Sequence, residues 1–510
     1  MPLLEQIIAH LDAYEKSDFL AYAERQPRVT RETELIRLLL QDQELSASEI
    51  RDQLYPSGPD QSKNSREAYN GLRRQVLARL YQWIVMRRME SHQLPDGKIF
   101  TLISAGRFML ERNAPGSAAD LLLQAEKLAL SGRHYEVLEA IYSYLCENGT
   151  EMHLPVNEIL ERWQVNSAKY ARMCLLRQIY GPQRERIRKA KRKGIALDPD
   201  LSIARIFKEV ELTSIDANDP SFLLLFTQIV RGAVVSGKDY VMFQRFVHKI
   251  HSRLKKRGLL RKNDSETEIG FLYMYAHAAY RNRNFELAEE ICQQIDGLLS
   301  VRSARRHPIY PKLMSIRAGI AALSGKVTEA IQLMESALSK RSHRSEASEW
   351  LNNLLNLSVY YFHAEEYRKA NRRLLEIPGD ESYLKDEMGL EWCFKKDIIT
   401  LIVQYELGND DIALKNCKKV QTEYAELIEQ PIYRRAGTFL QFVERVISDP
   451  EVSRTPEFHD EVKNAQLAWP DEKEDIQAIT FFCWLQSKML GQPYYSVLLQ
   501  RLNSHNQRST

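Results

Sequence analysis

The sequence has few residues that break helices and no excess of charge of either sign. It has 21 glycines and 18 prolines in 510 residues, which argues against an all-β fold and against long disordered linkers. Its 71 basic residues nearly balance its 68 acidic residues, for a formal net charge of +3. An overall charge so close to neutral does not predict a nucleic-acid or membrane partner. Any such interaction must come from a local cluster of charge.

The six cysteines are scattered and form no C-x-x-C pair. A small domain held together by disulfides has densely spaced cysteines, so we expect free thiols in a reducing compartment. The longest nearly apolar run, FLLLFTQIV at 222–230, is far shorter than the roughly 20 residues that cross a bilayer. The first residues, MPLLEQIIAHLDAYEK, lack the basic start of a secretory signal. We therefore expect a cytoplasmic protein with no membrane partner.

A small residue recurs at regular intervals in the second half of the chain. Ala288, Ala330, Ala370 and Ala413 are 42, 40 and 43 residues apart. Apolar residues follow each alanine at +4 and +7, which places them on one face of a helix. The residues nine and twelve positions before the first three alanines mark one face of a preceding helix. We predict antiparallel helix pairs that touch at the alanines, where a larger side chain would push the helices apart.

These units resemble the tetratricopeptide (TPR) family over about residues 220–425, and more loosely over 115–150. Their spacing of about 40–45 residues exceeds the family's usual 34, and the consensus tryptophan and regular closing proline are missing. The resemblance implies an all-α protein, a TPR-like α-solenoid of antiparallel helix pairs with a helical N-terminal domain; an irregular helical bundle is the alternative. The predicted regions are a helical N-terminal domain at 1–100, TPR-like helix pairs at 101–180, a basic segment and linker at 181–215, the repeat array at 216–430, and a C-terminal helical cap at 431–510.

The N-terminal region predicts three helices, in TRETELIRLLLQD, SASEIRDQLYP and SREAYNGLRRQVLARLYQWIVMRRM. Ser46 and Ser65 are the predicted N-caps, and Glu49 gives Ser46 the spacing of a capping box. The PSGPD break before an arginine-rich helix resembles the winged-helix domains of bacterial activators that carry TPR arrays. A wing requires a β-hairpin, and HQLPDGKIF at 92–100 is the only stretch available for one. A helical cap or dimerisation element is the favoured interpretation of this region, and DNA binding is the alternative.

The sequence lacks a recognisable catalytic or cofactor site. GAVVSGKD at 232–239 has the glycine and lysine spacing of a phosphate loop, but Asp239 replaces the Ser or Thr that would hold magnesium. His248 and His251 have no further ligands at the spacing of a metal site. There is no G-x-S-x-G or H-E-x-x-H motif. We predict a protein that is not an enzyme and that needs no cofactor or metal.

The strongest charge feature lies at 181–194, where one acid, Glu185, stands among seven basic residues. The basic residues are Arg184, Arg186, Arg188, Lys189, Lys191, Arg192 and Lys193. They cover most of the circumference of a helix, with only Ile187 and Ala190 apolar. We therefore expect a segment that buries no face, and that either projects into solvent or binds an acidic protein or nucleic acid.

In the TPR family the first helix of each pair lines a concave groove, so the resemblance also implies a set of binding residues. The corresponding positions are Tyr273, His277, Tyr280, Arg281, Lys312, Asn352, Phe362, His363, Lys395 and Tyr405. Aromatic and basic groups of this kind suit peptide capture. Tyr273 and His277 replace the Lys and Asn of carboxylate-clamp members, which disfavours the C-terminal peptide ligand of that subgroup.

Two functions remain open from the sequence. The favoured one is a non-catalytic scaffold or adaptor that binds a protein or peptide partner through the groove. The alternative is a transcriptional regulator or another nucleic-acid-associated protein. It would use the N-terminal helices or the basic segment at 184–193.

Overall fold

The chain is helical throughout the part that the structure describes. The structure is a computed structural model, and it describes residues 3–25, 30–40, 46–55, 62–90, 95–195, 199–213, 216–237, 239–260, 265–299, 307–339, 347–431, 433–465 and 476–506. These ranges contain α-helices and short 3-10 helices, and no strand. The prediction of an all-α protein built from packed helix pairs is confirmed. The chain divides into two compact units, Met1–Tyr170 and Ala171–Thr510.

The N-terminal helices of the first unit pack around one long helix. Its helices are α1 (Leu3–Ala9), α2 (Ala13–Glu24), α3 (Arg31–Leu40), α4 (Ala47–Leu54), α5 (Ser62–Glu90), α6 (Pro95–Glu111), α7 (Pro115–Gly132), α8 (Tyr135–Glu147) and the first part of α9 (Val156–Lys193). The apolar face of α5 buries Val76, Leu80 and Trp83 against Phe19 and Leu35 of the preceding helices. Burial of this face fixes α1 to α4 around α5, because each short helix is too small to be stable alone.

The three N-terminal helices predicted from sequence are present as α3, α4 and α5. Ser46 caps α4: its hydroxyl accepts a hydrogen bond from the Glu49 amide at 3.3 Å, and the Glu49 carboxylate accepts one from the Ser46 amide at 2.7 Å. Hydrogen bonds to the Glu49 carboxylate from the Ser46 hydroxyl and the Ser46 amide also lower the pKa of Glu49. The second predicted N-cap, Ser65, was wrong, because α5 begins at Ser62 and Ser65 lies within it.

The stretch named as a candidate wing is helical from its fourth residue. Residues 95–100 form the first turns of α6, and residues 92–94 lie outside the described part of the chain. A proline suits this position, because the first residue of a helix needs no amide hydrogen. The described residues of this stretch therefore supply no β-hairpin. The whole PSGPD break also lies outside the described residues.

The second unit contains the rest of α9 and a long succession of helices. They are α10 (Pro199–Val210), α11 (Pro220–Gly237), α12 (Tyr240–Lys256), α13 (Ser265–Arg281), α14 (Phe285–Leu298), α15 (Tyr310–Leu323), α16 (Val327–Ser339), α17 (Ala347–His363), α18 (Tyr367–Leu375), α19 (Glu381–Glu387), α20 (Leu390–Glu406), α21 (Asp410–Glu423), α22 (Ala425–Ile428), α23 (Arg434–Ser448), α24 (Pro456–Asn464), α25 (Ile476–Leu490) and α26 (Tyr494–Asn506).

The recurring alanines lie where the two helices of a pair meet. Ala288, Ala330, Ala370 and Ala413 are fully buried, each three residues after the first residue of α14, α16, α18 or α21. These helices pack against α13, α15, α17 and α20, respectively. The residues at +4 and +7 are buried too, and they are Cys292, Ile295, Met334, Ala337, Leu374, Ile377, Cys417 and Val420. The predicted helix pairs are therefore present, with the alanines in their interior.

The same turn joins the helices of each of these pairs. The residue five positions before the alanine has a left-handed backbone, with φ of 63° at Arg283, 85° at Gly325, 58° at Glu365 and 76° at Gly408. The next amide donates to the carbonyl five residues back, at 2.9 Å from Asn284 to Ala279 and 2.8–3.0 Å in the other pairs. This is the Schellman arrangement, which satisfies carbonyls that a helix end leaves unpaired. The pairs therefore share the backbone conformation of their turns as well as the spacing of their alanines.

Successive pairs are held together because the first helix of each pair packs against both helices of the pair before it. Helix α13 packs against α11 and α15, α15 against α17, and α17 against α20. Small residues allow close contact at these crossings: a side chain added at Gly319 of α15 would overlap the ring of Tyr280 from α13. Gly270 of α13 is similarly close to Leu224 of α11. The first helices therefore form one continuous packed layer in the second unit.

A larger residue at one of the alanines should force a pair apart. We expect Ala330→Leu to lower the free energy of unfolding by about 1–3 kcal/mol, because the added carbons have no space between α15 and α16. Loss of far-UV circular dichroism in urea measures this change. Ala171, which is exposed on α9, provides the control, and Ala171→Leu should change the value by less than about 0.5 kcal/mol. Equal effects of the two substitutions would contradict a tight crossing at Ala330.

The left-handed turns allow a matched exchange of residues. Gly325 and Glu365 are exposed and occupy equivalent turn positions, and the left-handed region costs an L-residue about 1–2 kcal/mol. We expect Gly325→Glu to destabilise the protein by about 1 kcal/mol, and Glu365→Gly to stabilise it by a few tenths of a kcal/mol. The same urea titration tests both. A loss of stability in both variants would show that backbone strain does not control these turns.

Candidate partner-binding face

The ten predicted groove residues lie on the first helices of four successive pairs. Tyr273, His277, Tyr280 and Arg281 lie on α13, Lys312 on α15, Asn352, Phe362 and His363 on α17, and Lys395 and Tyr405 on α20. Asn352 is exposed, Phe362 and His363 are buried, and the others are half-buried. Their role in binding a partner stays a prediction, but their accessibility differs from one residue to the next.

The repeat sorts several of these residues into two rows. We define the far row as the residues eighteen positions before the recurring alanines, which are Gly270, Lys312, Asn352 and Lys395. We define the near row as the residues eight positions before them, which are Tyr280, Ala322, Phe362 and Tyr405. Ten residues of α-helix separate the rows, or about 15 Å at 1.5 Å per residue. The near row lies beside the turns of the pairs.

The C-terminal hairpin of the chain, α25 and α26, covers three members of the near row. The Tyr494 ring lies 5.1 Å from that of Phe362, and the Trp484 ring lies 5.6 Å from that of Tyr405. The Tyr495 hydroxyl donates to the carbonyl of Ala322 at 2.5 Å. These positions are therefore occupied by the chain itself.

Polar groups reinforce this contact. The Trp484 indole donates to a Glu406 carboxylate oxygen at 2.6 Å, and the Lys488 ammonium lies 2.6 Å from the same oxygen. The ring of His363 stacks on that of Tyr495 at 5.4 Å, and burial lowers the pKa of His363 to about 3. The imidazole is thus neutral and packed in the interior, so His363 and its neighbour Phe362 are not surface groups in this structure.

Among the remaining near-row and far-row residues, some hold the fold as well as facing outward. Tyr280 packs on Phe285 with ring centres 6.1 Å apart. Asn352 accepts a hydrogen bond from the Trp392 indole at 2.9 Å, which links α17 to α20. Lys395 lies 2.9 Å from Glu391 on its own helix. Substitution of Tyr280 would therefore affect packing as well as any partner.

A cluster of arginines and aromatic rings lies where α11, α12 and α13 meet. The Arg231 guanidinium lies 5.3 Å from the ring centre of Tyr273, and Arg281 lies 4.8 Å from that of Tyr240. His277 lies between the two tyrosines, with ring centres 6.2 Å from Tyr273 and 6.1 Å from Tyr240. Burial, together with the charges of Arg231 and Arg281, holds the pKa of His277 well below its usual range. The imidazole is therefore neutral at physiological pH.

No motif in the sequence singles out Arg231. It lies twelve positions before Phe243, in the register where later units place the buried residues Ala276, Ala318 and Ser358. In those later units this register is an interior position. In the structure Arg231 is half-buried, and its guanidinium lies over the ring of Tyr273, which is one of the predicted groove residues.

All seven residues of the basic segment are exposed on the last turns of α9. The side chains of Arg188, Lys189 and Arg192 are 69%, 71% and 60% exposed. Glu185 pairs with Arg188 at 3.1 Å, and Asp386 pairs with Arg192 at 2.8 Å. Most of the positive charge of the segment faces solvent.

The expectation that this segment buries no face was wrong. Ala190 is 8% exposed, and the Gln183 amide donates to the carbonyl of Ile229 at 3.3 Å. A side chain added at Gly232 would overlap Ile187, and one added at Gly194 would overlap Leu427. Gly389 likewise lies against the backbone of Lys191. Small residues on both sides let a narrow stripe of α9 dock between α11 and the start of α20.

Two other sequence features have structural explanations. From Gly232 to Gly237, the residues with phosphate-loop spacing form the end of α11 and not a loop. Lys238 lies outside the described residues. The six cysteines are free. Burial raises the pKa of Cys292, Cys417 and Cys483 to about 12, so these thiols stay protonated and are weak nucleophiles.

No protein-family model matches this sequence, and no curated protein matches it either. Among the described residues, no helix combines the length and the apolar character that crossing a membrane requires. The function must therefore be argued from the arrangement of the residues themselves.

Proposed function

We propose that the protein is a non-catalytic adaptor whose second unit is a TPR-like solenoid that binds a protein or peptide partner. The carrying observation is the far row, since the repeat register places Lys312, Asn352 and Lys395 at equivalent positions on first helices that pack side by side. An extended peptide lying across these helices would meet one side chain of the row at each step.

The occupied near row helps to define where the partner binds. The C-terminal hairpin fills the Phe362 and Tyr405 positions with aromatic rings, so a partner would use the far-row end of the same helices. Lysine and asparagine side chains there offer hydrogen-bond donors to a peptide.

The test compares affinity purifications from the cell that makes the protein. We expect the double variant Lys312→Ala and Asn352→Ala to lose at least tenfold of a co-purifying partner, as measured by quantitative mass spectrometry. The control is Arg205→Ala with Arg454→Ala, whose side chains are 62% and 63% exposed outside the far row. Equal recovery of all partners with the two variants would refute binding at the far row. Circular dichroism must show unchanged helical content.

A second candidate function is contact with nucleic acid through the basic segment. The observation that favours it is the exposure of all seven cations on a docked helix, which fixes their spacing. Cations held in this way release counterions when they neutralise phosphates.

This candidate predicts retention on heparin or duplex DNA that falls steeply as salt rises. Arg188→Glu with Lys189→Glu should abolish retention at physiological salt, because two attractive charges become repulsive. Arg454→Glu, an exposed charge reversal outside the segment, should have little effect. Retention that ignores salt, or that survives the double reversal, would count against nucleic-acid binding by this segment.

A further inference from the structure

Arg231 is a half-buried cation at the junction of three helices. In the described part of the chain it has no ion pair. Its guanidinium lies over the ring of Tyr273, 5.3 Å from the ring centre. A guanidinium carries five hydrogen-bond donors, and an aromatic face satisfies none of them directly. The group therefore retains most of its capacity to bind an anion.

Other positive groups surround Arg231. Helix α9 passes beside it, since Ile187 lies against the adjacent Gly232 and Lys191 follows one turn later. Arg281 reaches the same cluster from the end of α13, over the ring of Tyr240. Cations gathered around a partly desolvated site repel one another, and a bound anion relieves that repulsion.

The interior of the cluster also has an unused polar atom. The Nδ1 atom of His277 is buried and has no hydrogen-bond partner among the described residues. A buried polar atom without a partner is destabilising, and a ligand that hydrogen-bonds to it would remove that cost. The charges of Arg231 and Arg281 both disfavour the protonated imidazole, so the ring cannot add a third positive charge.

The acids on this face neutralise only part of its positive charge, although Glu391 also favours the charged form of Lys191. Glu391 lies 2.9 Å from Lys395 and accepts a hydrogen bond from the Tyr433 hydroxyl at 2.8 Å. Asp386 is paired with Arg192, and Glu185 is paired with Arg188. The charge that remains on the basic segment and on Arg231 is positive. The face is therefore complementary to an acidic chain.

We propose that Arg231, together with Lys191 and Arg281, binds carboxylate side chains of an acidic peptide segment. The proposal rests on the proposed function, since it names the chemistry of the partner that the second unit would hold. A guanidinium matches a carboxylate with two parallel hydrogen bonds. A peptide suits the site better than a nucleic acid. Arg231 is half-buried beside an aromatic ring, and a flexible carboxylate side chain can reach such a group more easily than a phosphate that lies within its own backbone.

The experiment measures binding of a fluorescein-labelled hexaglutamate peptide to the full chain by fluorescence anisotropy in low salt. We expect Arg231→Gln to raise the Kd at least tenfold, since a charge-assisted bidentate contact is lost. Arg231→Lys keeps the charge without the planar fork and should raise the Kd less. Arg205→Gln removes an exposed charge on α10 and should leave the Kd within twofold of the wild type.

Competition with unlabelled ligands distinguishes the possible sources of the anion. Unlabelled hexaglutamate should displace the probe, whereas hexaglutamine and inorganic phosphate should not. An unchanged Kd for Arg231→Gln, or no binding to the wild type, would overturn the proposal. Stronger, Arg231-dependent binding of duplex DNA would overturn it in favour of a phosphate ligand. If only the acidic-peptide assay fails, while the Lys312 and Asn352 variant still loses its partner, the adaptor function stands with a different ligand chemistry.

Discussion

The second unit depends on how closely two helices approach at a single alanine. Each alanine lies one turn after the start of its helix, and the carbonyl nine positions earlier accepts the hydrogen bond that closes the left-handed turn. The turn fixes the angle at which the chain reverses, and the small side chain allows the two helices to touch. Neither feature is sufficient alone, because a correct turn with a bulky contact would still separate the pair.

Sequence periodicity predicted the pairs well but could not predict everything that shapes them. The buried positions around Ala288 and Ala370 follow from helix spacing, and the cap at Ser46 follows from its own local motif. The turns were less visible, since Arg283 and Glu365 adopt a conformation usually associated with glycine or asparagine. There the requirements of the packed pair override the preference of the single residue.

Some features of the candidate face could be predicted from the repeat, whereas others depend on segments that are distant in the sequence. Lys312, Asn352 and Lys395 could be named because they share a register within the repeat. The burial of Phe362 could not be foreseen, since it depends on Tyr494, which lies far along the chain. The docking of the basic end of α9 depends on glycines just after α9, in α11 and before α20. Such complementarity between distant segments leaves no periodic signal.

The bond between Tyr495 and the Ala322 carbonyl joins residues 173 positions apart. In an ordinary array each unit touches only its neighbours, so the terminal unit can fray without disturbing the middle. Here the C-terminal hairpin contacts near-row residues beside three of the turns, at Ala322, Phe362 and Tyr405. Unfolding of the C-terminal hairpin would expose the near-row residues that its aromatic rings cover. The second unit should therefore unfold cooperatively. The contact between the C-terminal hairpin and the near row should also resist the small rotations between pairs that make helical-repeat proteins elastic.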